Sequence, residues 1–167
     1  HADPGKPNRL EVMQAAANQI AAINRHNILA GIMRFDTTRY RVTSNAGGPV
    51  LFPIQPISTP QANGNFQSVV DNLNADGATP LSETFYEAFL YYSGRTPFFG
   101  TLRHNRFKSV PSSIADRKYI SPIKHECQKN FIVYLTDGEP VVDQFAESRI
   151  NAFLSTFNSD PKRLSGK

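Results

Sequence analysis

Two acids, Asp137 and Glu139, stand on either side of Gly138 near the end of QKNFIVYLTDGEP, residues Gln128 to Pro140. Ahead of them, Phe131, Ile132, Val133, Tyr134 and Leu135 form an unbroken apolar, β-rich run. That pattern predicts a buried strand of a covered parallel sheet, and such sheets place their ligands just beyond the carboxyl ends of the strands. The same residues also fit an ordinary Asp-Gly turn closed by Pro140. A carboxylate at a strand end can serve as a nucleophile, so a phosphotransfer enzyme using Asp137 stays open as a reading, but the further acids it needs have no candidates. Enzyme chemistry finds no other support. His1, His26, His104 and His125 are scattered without a second ligand, and no nucleophile pair, phosphate-binding glycine loop or zinc-ligand cluster is present.

The elements that must position these acids can be traced along the chain. Asn8, with Glu11 three residues on, predicts a capping box, and Leu10, Met13, Ala17, Ile20 and Ala21 give the following helix one apolar face to about Ile23. Ile28 to Phe35 reads as a strand weakened by Gly31, and Tyr40 to Ser44 as a half-exposed edge strand that pairs with it in an antiparallel hairpin. VLFPI, with Pro53 inside it, fits only an irregular or edge segment, and Gln55 to Gly64 a Pro-rich polar loop. Phe66 to Leu73 predicts a short helix. In ADGATPLSETFYEAFLYY, Thr79 is placed to cap a helix that Pro80 begins, with Leu81, Thr84, Phe85, Ala88, Phe89 and Tyr92 on its apolar side. Ala146 to Phe157 predicts a last helix, with Ile150, Phe153, Leu154 and Phe157 inward. Helix and strand in alternation imply a three-layer α/β sandwich.

The chain has 167 residues, about one domain, and its 40% hydrophobic content with 12 Phe and 6 Tyr can build a core. It has no apolar run of membrane-spanning length and no signal-peptide pattern in HADPGKPNR. Its net charge of +4 is unevenly spread. Arg95, Arg103, Arg106, Lys108, Arg117, Lys118 and Lys124 face one acid, Asp116, between Gly94 and Lys124, whereas the remainder is mildly acidic. Residues 93–122 show no periodicity and read as an inserted basic surface loop. Its aromatics Phe98, Phe99, Phe107 and Tyr119 admit a nucleic-acid reading, but a solvated loop is favoured because no nucleic-acid motif accompanies them. The single cysteine, Cys127, reads as a small buried hydrophobe.

GATPLSETFYEAFLYY followed by CQKNFIVYLTDGEP resembles the von Willebrand factor A domain of the PilY1/PilC proteins of type IV pili. LEVMQAAANQIAAINRHNILAGIMRFD resembles that family's first helix and second strand. The resemblance extends from about Arg9 to Phe157. It implies a Rossmann-like sandwich that, over residues 1–167, lacks the first central strand and the last strands, so that the chain is expected to be an internal part of a longer protein. It also implies a metal-ion-dependent adhesion site for Mg²⁺ or Ca²⁺. Thr79 matches the site's threonine and Asp137 its late aspartate, while the Asp-x-Ser-x-Ser loop has no counterpart here and Asp3 is no substitute. Hydroxyls with one or two carboxylates would leave the cation open to an acidic group from a partner, which is adhesion rather than catalysis.

Glu139 and Asp143 read as solvated loop acids, and with Arg103, Arg106 and Lys108 they are the candidates for touching a protein partner such as a pilin, or a host or surface receptor. The implied role is a pilus-tip adhesin and assembly factor outside the cytoplasm, where Cys127 could pair with a cysteine elsewhere. The alternative is an A domain of another secreted surface protein.

Overall fold

The computed structural model describes residues 7–35, 47–75, 78–101, 108–136, 138–140 and 143–158. Within them the chain is mixed α/β. Helix α1, Arg9–Asn24, starts as its sequence dictates: the Asn8 side chain accepts from Glu11 N–H at 2.9 Å, and the Glu11 carboxylate accepts from Asn8 N–H at 2.8 Å. Strand β1, Leu29–Met33, pairs antiparallel with β2, Val50–Pro56, with irregular register between Ala30 and Met33. VLFPI is therefore β1's partner. The strand predicted at Tyr40 to Ser44 lies outside the described residues. Pro53 fits because, among the described residues, β2 pairs with β1 alone in a two-stranded ladder, which leaves an edge with no ladder bond for it to break.

Helix α2, Pro60–Asp71, begins inside the predicted loop. Thr59 caps it by accepting from Ala62 N–H at 3.1 Å, and Pro60 occupies its first turn, a start signal whose weight the polar composition of the segment masked. Its far end is closed from another element: Gln14 of α1 donates to the carbonyls of Val70, Asp71 and Leu73. Ala21, Phe52, Ile57, Phe66 and Val70 pack as one core cluster joining α1, the ladder and α2.

The second cluster, Val50, Leu90, Tyr91 and Tyr119, joins the ladder to α3, Leu81–Tyr92, and to residues of the predicted inserted surface loop. The described part of 93–122 is built into the fold. Val110 N–H donates to Val50 O at 2.9 Å, and the Ser109 hydroxyl accepts from Val50 N–H at 3.0 Å. Two short 3-10 turns, Phe99–Thr101 and Pro111–Ser113, lead to a hairpin of β3, Ile114–Ala115, and β4, Lys118–Tyr119. Asp116 and Arg117 close the hairpin with φ of 48° and 63°, the left-handed pair that a two-residue turn requires. Such a hairpin is too short to leave a periodic signal, and Asp-Arg does not advertise it as Asp-Gly would. Phe99 and Tyr119 are buried, so their rings build the core and offer no face for a base to stack on.

The run Phe131 to Leu135 departs most from expectation. It is assigned to no strand, and among the described residues its backbone bonds to no other backbone; Phe131 and Val133 are each 77% exposed. An apolar run becomes a buried strand only if strands flank it, and none of the described residues pair with it. Two tyrosines hold it along α3 instead: Tyr92 donates its hydroxyl to Phe131 O at 3.1 Å, and Tyr134 donates to Leu81 O at 2.7 Å. Helix α4, Glu147–Asn158, follows, with Phe153 against Phe89 at 4.4 Å between ring centres. Leu154, predicted inward, is half exposed, as is Ile20 of α1. Cys127 is exposed in a turn and is not the small buried residue expected. No helix among the described residues is long and apolar enough to cross a membrane.

Candidate functional site at the start of helix α3

The first turn of α3 follows directly on one predicted site residue, Thr79, and is bonded to another, Asp143. Helix-cap logic assigned its start to the Thr79 hydroxyl, yet the cap position falls to Pro80, which has no side chain to offer. Asp143, 61 positions along the chain from Ser82, does the capping: its Oδ1 accepts from Ser82 N–H at 2.5 Å. An anion there is favoured twice, by the unpaired amides and by the positive end of the helix dipole. Asp143 is thus a half-buried helix cap and not a solvated loop acid. The Thr79 hydroxyl, relieved of capping, makes no hydrogen bond among the described residues, and Thr79 itself is half-buried.

Asp137, Arg103 and Arg106 lie outside the described residues. Glu139 and Lys108 are exposed. On either side of Asp137, Tyr134 is bonded to Leu81 and Asp143 to Ser82, so both flanks meet neighbouring residues of one helical turn. Gly138 N–H makes a long contact of 3.4 Å to the Thr136 hydroxyl, which in turn donates to Gly138 O at 3.2 Å. No group of three or more His, Cys, Asp or Glu side chains that could hold a metal occurs among the described residues.

Helix α3 turns a face inward that its apolar periodicity did not select. Phe85, on the predicted inner stripe, is 54% exposed, whereas Glu83 and Glu87 are fully buried. A buried carboxylate needs donors, and both find them in loop backbone. Glu87 accepts from Phe98 N–H at 3.1 Å, from Phe99 N–H at 2.7 Å and from the Tyr119 hydroxyl at 2.6 Å. Ser109 completes the network at 2.7 Å from the Tyr119 hydroxyl. Burial raises the Glu87 pKa against the pull of these donors, and burial beside Glu87 raises that of Tyr119.

Glu83 accepts from Phe145 N–H at 2.6 Å through one oxygen; its other, buried oxygen has no donor among the described residues. Burial first, and then the Asp143 carboxyl within hydrogen-bonding reach, push the Glu83 pKa up to about 7. Burial pushes the Tyr134 hydroxyl up to about 12, so it stays a neutral donor. Sequence reading missed both glutamates because a glutamate at an interior helical position ordinarily signals the solvent side; a spacing of four between them was the one available hint.

Compared with known proteins, the chain matches no family model, no curated protein and no solved structure.

Proposed function

We propose that the chain is a binding module of the von Willebrand factor A class, a three-layer α/β sandwich whose ligand site lies at the amino end of α3. Within that class, the proposed role is that of a domain of a type IV pilus tip-associated adhesin and assembly factor, acting at the pilus tip or outer surface. Support comes from one observation above others. The chain on either side of Asp137 is bonded to the start of α3, Tyr134 at Leu81 and Asp143 at Ser82, three residues after Thr79, whose hydroxyl capping does not consume. The two core clusters that share the β1–β2 ladder agree with a layered fold.

In this reading Thr79 supplies a neutral oxygen and Asp137 a charged one to Mg²⁺ or Ca²⁺, and an acidic side chain of a pilin or surface receptor fills an open position. A hard cation bound by few charges stays electron-poor, which is what lets it attract a further carboxylate. Glu139 and Lys108, both exposed, are proposed to meet the partner around that site with Arg103 and Arg106.

Calorimetric titration of the whole protein with Mg²⁺ and with Ca²⁺ tests the proposal. Thr79→Ala and Asp137→Ala are expected to weaken binding at least about tenfold, the loss of one oxygen ligand being on the order of 1.4 kcal/mol or more. Unchanged affinity in both variants would remove the site.

A further inference from the structure

Glu83 and Asp143 exchange backbone donors across the junction between α3 and the segment that leads into α4. Ser82 N–H, the neighbour of Glu83, donates to Asp143, while Phe145 N–H, two residues beyond Asp143, donates to Glu83. Each acid is thereby fixed by the other's strand of chain, and the two carboxyl groups come within hydrogen-bonding reach of each other. Each donor satisfies one oxygen, but nothing among the described residues donates to the second, buried oxygen of Glu83. Two ionised carboxylates in that position would repel with no N–H or O–H between them. One proton shared by the pair supplies the missing donor.

We propose that Glu83 and Asp143 form a proton-held clasp, which fastens residues 143–146 to the first turn of α3 while the pair keeps one proton and lets them go when both are ionised. The charged and titratable groups around it are few among the described residues. Asp143 faces Glu83 from the linker, Tyr134 faces the pair from the extended run as a neutral hydroxyl, and Glu87 follows one turn along α3 with its own amide and tyrosine donors. No arginine, lysine or histidine contributes to the raised pKa of Glu83, whose causes are burial and Asp143.

The sign follows from that rise. A carboxyl whose folded pKa lies near 7, above its ordinary 4.5, binds its proton more tightly when clasped than when free. The clasp is therefore fully favoured at pH below about 4.5, weakens as pH rises through the interval to about 7, and has lost its proton beyond it. Helix α4 keeps other anchors on either side of this change. Arg149 stacks on the Phe98 ring at 3.5 Å, and Phe153 packs on Phe89, so opening is local to the linker and the first-turn amides of α4 that bond back to it, as Arg149 N–H does to Ala146 O.

Hydrogen exchange of the whole protein, followed from pH 5.5 to 8.5 in a chelator and expressed as protection factors, reads the clasp directly. Protection of amides 143–149 is expected to fall about tenfold or more across that range, one pH unit of linkage being a factor of ten, while protection in α1 stays constant. Glu83→Gln, whose carboxamide donates to Asp143 at every pH, is expected to hold the low-pH protection throughout. Protection of 143–149 that is flat with pH in the unmodified protein overturns the clasp. So does an equal fall in Glu83→Gln, or a parallel fall in α1.

Discussion

Glu87 shows how a charge is accommodated inside a small core. Its two oxygens collect two backbone amides of the Phe98–Phe99 corner and the Tyr119 hydroxyl, so one side chain of α3 fixes both the corner and the hairpin. Removing it takes the carboxylate acceptor away from the buried Phe99 amide, the half-buried Phe98 amide and the buried Tyr119 hydroxyl, which keeps only Ser109 beside it among the described residues. Glu87→Ala is expected to lower stability by on the order of 3 kcal/mol in chemical denaturation, since each unsatisfied buried group costs about 1 to 3 kcal/mol. Glu87→Gln, which keeps one acceptor oxygen, is expected to cost less. Equal stability of the alanine variant and the unmodified protein would mean that the network does not hold the loop in place. At this scale the sequence was readable where partners are neighbours, as with Asn8 and Glu11, and silent where they are not, as with Glu87 and Tyr119, 32 residues apart.

Among the elements, α3 is bounded by two different devices. At its start the cap comes from the distant Asp143; at its end the chain itself provides it. Gly94, with φ of +63°, donates to Tyr91 O at 3.2 Å, and Arg95 donates to Leu90 O at 2.9 Å, the paired bonds of a glycine-terminated helix. Gly94→Ala is expected to cost about 1 kcal/mol, because a Cβ is disfavoured in the left-handed region, while its nearest neighbour, Ser121 Cβ at 3.4 Å, leaves room for it. Thermal denaturation measures that loss; an unchanged midpoint would place the end of α3 elsewhere. The extended run makes the opposite kind of prediction. Val133 is 77% exposed, so Val133→Thr is expected to change stability by less than about 0.5 kcal/mol. A loss above about 1 kcal/mol, the cost of burying an unpaired hydroxyl, would show the run to be a covered strand after all.

At the scale of the molecule, two core clusters of the described residues meet at the β1–β2 ladder, to which β2 contributes Phe52 on one cluster and Val50 with Ile54 on the other. The part of the basic stretch 93–122 that is described is stapled to this centre through Ser109, Val110 and Tyr119, so its exposed cations, Arg95, Lys108, Arg117 and Lys118, ride on a fixed frame. That suits recognition of an acidic partner better than a loose loop would, because fewer side chains and less backbone are ordered on binding.

The sequence by itself determined what depends on near neighbours. It set the α1 capping box, the helical periodicity of α1, α3 and α4, the strand at Leu29–Met33 and the uneven charge. Only the tertiary structure decided which face of α3 turns inward, which segment pairs with β1, and which acid caps α3. The reason is physical: a buried carboxylate or an unpaired amide is tolerated only where a donor or acceptor from remote chain arrives beside it, and no local pattern records that arrival.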